Sequence, residues 1–329
     1  MAAMNQPEWL RGQVVSIEMA ADSIARIAIA TDVPTRTEPG CHVDVRLPGG
    51  DIRSYSVVAG APDGRGVTLG VRRSPTSRGG SEYMHSLQPG DTVDVTVPMQ
   101  NFPLRVGAAS YLLVAGGVGV TAMVAMGEVL RRLGADYRFV YVGRTRSAMA
   151  FLDELTELHG ERLEVYANDE GGVLDVTELT GGIDSETELY MCGPIRLMDA
   201  VRRAWLDRSL PPANLRYETF GSSGWFDPEE FVVRVPSMGV ETTVGTGESL
   251  LDALERAGVD MMFDCRKGEC GLCQVDVESV DGSIDHRDVF FSEEQKKTSN
   301  RLCACVSRVA ATPNCPRTRK PAGLTLNLA

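Results

Sequence analysis

The sequence predicts a multidomain protein: an antiparallel β domain, then an α/β domain with a parallel sheet, then a small cysteine-bearing α+β domain. Three observations point there. At about 100–200 residues per domain, a chain of 329 residues is too long for one ordinary core. The patterning changes twice, first from punctuated short strands to strand–helix alternation, then again after a Gly-, Ser- and Pro-rich stretch at 221–230. Six of the eight cysteines crowd into the last quarter, from Cys265 to Cys315.

The elements follow in order. The runs 14–19, 24–30, 42–47, 54–58, 67–71 and 92–97 are β-rich or alternating, with Pro-Gly, Gly-Gly and Pro-Asp-Gly turns between them. Short strands so punctuated predict an antiparallel sandwich or barrel. The run 99–106, broken by Pro103, leads out of it. Next come a compact apolar strand at 111–115, a helix at 121–133, a strand at 138–142, a helix at 151–159, and strands at 163–167 and 189–192. A helix at 195–206 and a final strand at 214–220 complete the alternation, which requires a parallel sheet with crossover helices. Beyond the linker, a hairpin at 231–235 and 241–244 precedes a helix at 249–257 and then the cysteines.

Composition narrows the function classes. Hydrophobic residues make up 43% and charged residues 24%, which excludes a disordered or collagen-like chain. No run of 18 apolar residues occurs, and the opening MAAMNQPEWLRGQ lacks the apolar stretch of a secretory signal. A cytoplasmic protein with no membrane association is expected. The net charge of −12 argues against general affinity for nucleic acid, which needs clustered Lys and Arg.

In a reducing compartment, clustered cysteines mean metal or redox chemistry rather than disulfides. Cys265, Cys270 and Cys273, in CRKGECGLC, have the spacing of the first three ligands of a plant-type 2Fe–2S cluster. Zinc sites more often pair CxxC units or use His. Gly268 and Gly271 suit a loop wrapped closely on a cluster. Cys273 is separated from Cys303 by 29 residues and from Cys305 by 31. On a strand, positions two apart face one side, so spacing leaves the fourth ligand open between them. Cys41, Cys192 and Cys315 read as unliganded thiols.

Two further motifs suit phosphates. Arg53-Ser54-Tyr55-Ser56 lies on a predicted strand, and Ser77-Arg78-Gly79-Gly80-Ser81 opens a predicted helix. An Arg with neighbouring hydroxyls and free amides suits one phosphate, and Tyr55 can lie against a flat ring. Gly116-Gly117-Val118-Gly119-Val120-Thr121 follows a buried strand, and Cys192-Gly193-Pro194 closes a later one at the same sheet edge. Ligands of open α/β sheets sit at that edge, so the two loops together suit a nicotinamide dinucleotide.

These motifs, with Tyr217-Glu218-Thr219-Phe220-Gly221, Asp285-His286-Arg287-Asp288 and Cys305-Val306-Ser307-Arg308, occur in one order along nearly the whole chain. The chain resembles the phthalate dioxygenase reductase and vanillate demethylase reductase family, the reductase components of two-component Rieske oxygenase systems. The resemblance implies an FMN-binding barrel over 1–106, an NADH-binding domain over 107–221, a linker over 222–230 and a β-grasp 2Fe–2S ferredoxin over 231–329. It implies Cys305 as the fourth cluster ligand beside Cys265, Cys270 and Cys273. It places the FMN phosphate on Arg53, Gly79, Gly80 and Ser81, with Ser54, Tyr55, Ser56, Val71 and Arg72 lining the flavin and Phe220 shielding its ring. NADH is implied at Gly116, Gly117, Gly119, Thr121, Cys192, Gly193 and Pro194. The implied acceptor is a separate Rieske-type oxygenase, with another acceptor such as a cytochrome as the alternative, and the reductase is expected to be a monomer.

Departures from the family pattern are Ala122, where Pro is common, Asn327, where Asp is usual, and a longer 309–323 segment carrying Arg317, Arg319 and Lys320. That basic segment, on an acidic chain, is expected to help orient an acidic oxygenase. Arg144 and Arg146 follow a sheet strand, where a 2′-phosphate would bind, although the resemblance implies NADH.

Overall fold

The structure, a computed structural model, describes residues 7–75, 77, 79–220, 224–311 and 321–328. The chain forms two compact units, one from residues 1–193 and 200–218, the other from 194–199 and 219–329. Among the described residues, no helix is long and apolar enough to cross a membrane.

The first unit holds two sheets. Strands β1 (Trp9–Ala21), β2 (Ile24–Thr31), β3 (Cys41–Arg46), β4 (Ile52–Gly60), β5 (Gly66–Arg72), β6 (Thr92–Thr96) and the short β7 (Met99–Gln100) form one of them. Its order is β4-β5-β2-β1-β6-β3-β7, and pairing of β3 with β4 closes a six-stranded antiparallel barrel. The alternation in the sequence has its cause here: Ile27, Ile29, Val43, Val45, Leu69 and Val95 point into one core. Helix α1 (Gly80–Ser86) follows β5 and buries Met84 in that core.

The second sheet contains β8 (Ser110–Gly116), β9 (Tyr137–Gly143), β10 (Leu163–Ala167), β11 (Thr187–Cys192) and β12 (Leu215–Glu218), in the order β10-β9-β8-β11-β12. All neighbours are parallel, so the strand order reverses between β8 and β11. Helices α2 (Val124–Arg132), α3 (Leu152–His159), α4 (Val176–Gly181) and α5 (Ile195–Asp207) make the connections. The expected helix at 121–133 divides in two: a 3₁₀ turn, Gly117–Ala122, runs straight off β8 and α2 starts after it. The expected strand at 214–220 stops at Glu218, because Thr219 takes its hydrogen bonds elsewhere.

The second unit is a mixed sheet of β13 (Phe231–Val235), β14 (Val240–Val244), β15 (Gln274–Asp281), β17 (Arg301–Cys303) and β19 (Ala322–Asn327), in the order β14-β13-β19-β15-β17. A small ladder pairs β16 (Ser283–Asp285) with β18 (Arg308–Ala310). Helix α6 (Leu250–Arg256) begins with a Ser249–Asp252 capping box and lays Leu250, Leu251 and Leu254 onto the core. Helix α7 (Glu293–Thr298), also opened by a capping box, precedes β17. One helix gripped by a mixed sheet is the expected β-grasp. Residues 224–230, before β13, form neither helix nor strand and are held by side chains of this unit. Asp285 and Arg287 form a buried ion pair at 2.7 Å. Asp285 accepts from the Trp225 amide at 2.9 Å, and Arg287 donates to the Phe226 carbonyl at 2.9 Å.

Candidate functional site

The cysteine loop is shaped by backbone before any metal is considered. Gly268 and Gly271 adopt φ of 78° and 73°, the left-handed region that favours glycine. A Cβ on Gly268 would stand 2.7 Å from Val306, and one on Gly271 would stand 2.3 Å from the Phe290 ring. The tight approach is thus to neighbouring side chains and, at Gly268, also to the Asp288 backbone at 2.9 Å. Arg266 also has positive φ, 50°, and is clamped to α6 by Asp252 at 2.6 Å and Glu255 at 2.9 Å. This loop folds three amides, those of Lys267, Glu269 and Cys270, onto the Cys265 sulfur, each at 3.4 Å.

Two further cysteines close on the loop. The Cys303–Cys305 turn is tied to the loop by the Ala304 amide, which donates to the Cys273 carbonyl at 3.0 Å. The Cys305 thiol, opposed by burial and helped by the three amides, lowers Cys265 to about 4. Cys303 and Cys305 together lower Cys273 to about 3, while they themselves are pushed up by the same neighbours and by burial. The donor set is soft sulfur in a nest of N–H groups, which fits an iron–sulfur cluster. Strand β17 ends at Cys303, so the expectation that Cys303 and Cys305 share one strand face does not hold. Cys303 pairs with Gln274 in the ladder and is wholly buried, whereas Cys305 lies in the turn beyond. Exposed Met262, Phe263, Leu272 and Phe290 flank the loop.

On the barrel, the structure brings Arg53, Tyr55 and Gly80 together. A Cβ on Gly80 would meet the Arg53 side chain at 2.7 Å and the Tyr55 hydroxyl at 3.2 Å. Gly79, with φ of 83°, turns the chain into α1. Arg53 donates to Asp51 at 3.2 Å, burial raises Tyr55 to about 12, and the Tyr55 side chain packs against the barrel core. The Ser81 hydroxyl is committed to the turn, accepting from the Ser74 amide and donating to Ser77. Ser54 faces the other way and bonds Asp44 at 2.5 Å. Val71 is core, and Arg78 and Gly221 lie outside the described residues, as do Cys315, Arg317, Arg319 and Lys320.

At the carboxyl edge of the parallel sheet, the Gly116 and Cys192 loops lie side by side at the strand-order reversal, with Cys192 opposite Ala115. A Cβ on Gly119 would stand 2.2 Å from the Cys192 carbonyl, and one on Gly193 2.9 Å from Gly116, so both glycines serve loop-on-loop contact. Gly117 has φ of 53° and open space at its Cβ position. The buried Thr121 hydroxyl bonds the Val118 carbonyl at 2.9 Å and so holds the turn. Pro194 opens α5, and its carbonyl accepts from Leu197 and Met198. Arg72 is lowered first by burial and then by the like charge of Arg144, a pair that a pyrophosphate would relieve. Phe220 is partly exposed. Glu218, quoted in the sequence motif but given no role there, is 3% exposed and accepts a hydrogen bond from Ser56 at 3.0 Å.

Residues 233–310 match the model of the 2Fe-2S iron-sulfur cluster binding domain. The chain is 35% identical over 287 residues to the heme-dependent oxidative N-demethylase beta subunit of Ectopseudomonas mendocina, covering 87% of this chain and 90% of that one. It is 32% identical over 312 residues to the phenoxybenzoate dioxygenase subunit beta of Ectopseudomonas oleovorans, covering 93% and 96%. The solved phthalate dioxygenase reductase, described as a modular structure for electron transfer from pyridine nucleotides to [2Fe-2S], superposes with a TM-score of 0.71 at 29% identity, covering 97% of this chain and 98% of that one.

The chain belongs to the phthalate dioxygenase reductase family. As a member, this reductase is an NADH-dependent oxidoreductase that uses FMN and a 2Fe–2S cluster and serves an oxygenase system. Its oxygenase is a separate chain.

Proposed function

We propose that electrons pass from NADH, through FMN on the barrel and a cluster on Cys265, Cys270, Cys273 and Cys305, to a Rieske-type oxygenase. The observation that carries this reading is the cysteine loop itself, which turns the Lys267, Glu269 and Cys270 amides onto the Cys265 sulfur, each at 3.4 Å. Residues 1–106, 107–221, 222–230 and 231–329 are assigned as flavin barrel, nicotinamide domain, linker and ferredoxin. Splitting the electron pair of a hydride into single electrons is the chemistry that the bound flavin supplies. Arg53 and the Gly79, Gly80 and Ser81 amides hold its phosphate, and Tyr55 lies along its ring. Ser56, fixed by Glu218, faces its edge with Arg72, and Phe220 covers it. The Gly116, Gly117, Gly119 and Thr121 turn, with Cys192, Gly193 and Pro194, receives the dinucleotide. The exposed apolar flank of the cysteine loop is where the oxygenase docks.

The protein works as a monomer in the cytoplasm. Its N-demethylase relative is named heme-dependent, which favours a haem-bearing oxygenase as the second reading. Purified reductase, NADH and each class of oxygenase, with single-turnover product measured, test the choice. Turnover with the Rieske enzyme alone supports the first reading, and turnover with the haem enzyme alone replaces it.

A further inference from the structure

We propose that Glu269 is a positioning residue for electron transfer from flavin to cluster, acting through Thr219. This rests on the proposed route above. Glu269 directly precedes the ligand Cys270, and its amide donates to the Cys265 sulfur at 3.4 Å. Its carboxylate Oε1 accepts from the Thr219 amide at 2.8 Å and lies 2.9 Å from the Thr219 hydroxyl. That hydroxyl also reaches the Lys267 carbonyl at 2.5 Å, so its single proton is shared between two acceptors on the same cysteine loop. Thr219 is 4% exposed. Satisfying its amide needs one acceptor from anywhere; here both of its donors are given to the segment that bears cluster ligands.

Thr219 is peptide-bonded to Glu218, the residue that holds Ser56 in the barrel. Within the cysteine-bearing unit, hydrogen bonds therefore lead from Thr219 to Lys267 and Glu269, and from their amides to the Cys265 sulfur. At each transfer one electron would leave the reduced flavin and one ferric iron of the cluster would become ferrous. With both groups bound, the oxygenase would take the first electron from the cluster before the second could follow, and the proton of the hydride would go to water. Glu269 touches neither reacting group in this scheme; it fixes the loop against the residue next to Glu218, and loss of such fixed geometry slows a reaction without changing its chemistry.

The full-length holoprotein is compared with Glu269→Ala, Glu269→Gln and Thr219→Val. Flavin reduction by NADH and the visible and EPR spectra of the cluster should match wild type in all. In Glu269→Ala, reduction of the cluster after NADH mixing should slow about 10-fold or more, and deuterium exchange at the Thr219 amide should quicken by a similar factor. Glu269→Gln keeps an acceptor and should restore both. Thr219→Val, which removes only a hydroxyl outside the loop, should slow cluster reduction as well. Wild-type cluster reduction in both Glu269→Ala and Thr219→Val overturns the proposal. So does slow reduction with unchanged amide exchange, or loss of the cluster from Thr219→Val. Failure of NADH to reduce the wild-type flavin instead sinks the proposed route itself.

Discussion

The Ser56 hydroxyl donates to the Glu218 carboxyl at 3.0 Å, joining a barrel strand to the last strand of the parallel sheet across 162 residues of sequence. Both side chains are buried. Such a bond contributes about 1.5–3 kcal/mol when the acceptor is charged. Ser56→Ala should lose stability of that order in urea unfolding and should slow flavin reduction by NADH, with Ser56→Thr recovering both. Unchanged unfolding and kinetics in Ser56→Ala would show that the bond does not matter.

Arg53 is expected to hold the flavin phosphate. Arg53→Ala should weaken FMN retention by about 1.5–3 kcal/mol, read as the dissociation constant in a fluorescence titration. Gly80→Ala tests the same contact without changing charge, because the new methyl would lie 2.7 Å from the Arg53 side chain. It should weaken FMN binding in the same direction. Wild-type affinity in both variants would move the phosphate elsewhere.

Cys305→Ser should lose or shift the cluster spectrum, whereas Cys303→Ser should keep it. NADH-driven flavin reduction should survive in both, since it precedes the cluster. The reverse pattern would make Cys303 the ligand.

Arg146 is already occupied: its Nε donates to both oxygens of Glu170, at 2.7 and 2.9 Å. A 2′-phosphate arriving there would face a carboxylate, so kcat/KM should favour NADH over NADPH. Glu170→Gln should raise kcat/KM for NADPH about 10-fold by freeing the guanidinium, and leave NADH nearly unchanged. A wild-type preference for NADPH, or no response to the substitution, would refute this.

What the sequence made legible is what short-range pattern encodes. Alternation exposed the barrel strands because their inner faces fill one core, as Ile27, Val43 and Leu69 do. The cysteine loop was readable because its ligands lie within nine residues, Cys265 to Cys273. Helix α7 was not, since its six residues, Glu293–Thr298, include no buried one and so have no apolar stripe. The partners of Glu218 and Thr219 were hidden for another reason. Ser56 is 162 residues from Glu218 and Glu269 is 50 from Thr219, and no local pattern marks a pairing made only by tertiary folding. The Cys303–Cys305 ambiguity came from treating both as strand positions, when the strand stops at the first.

Strand β19 lies at the centre of its sheet, parallel to β13 on one side and antiparallel to β15 on the other. During synthesis, every cysteine of the cluster loop and of the Cys303–Cys305 turn therefore leaves the ribosome before the strand that unites the two halves of their scaffold. A chain truncated just before Ala322 should therefore keep the flavin yet hold no cluster, read from its visible spectrum.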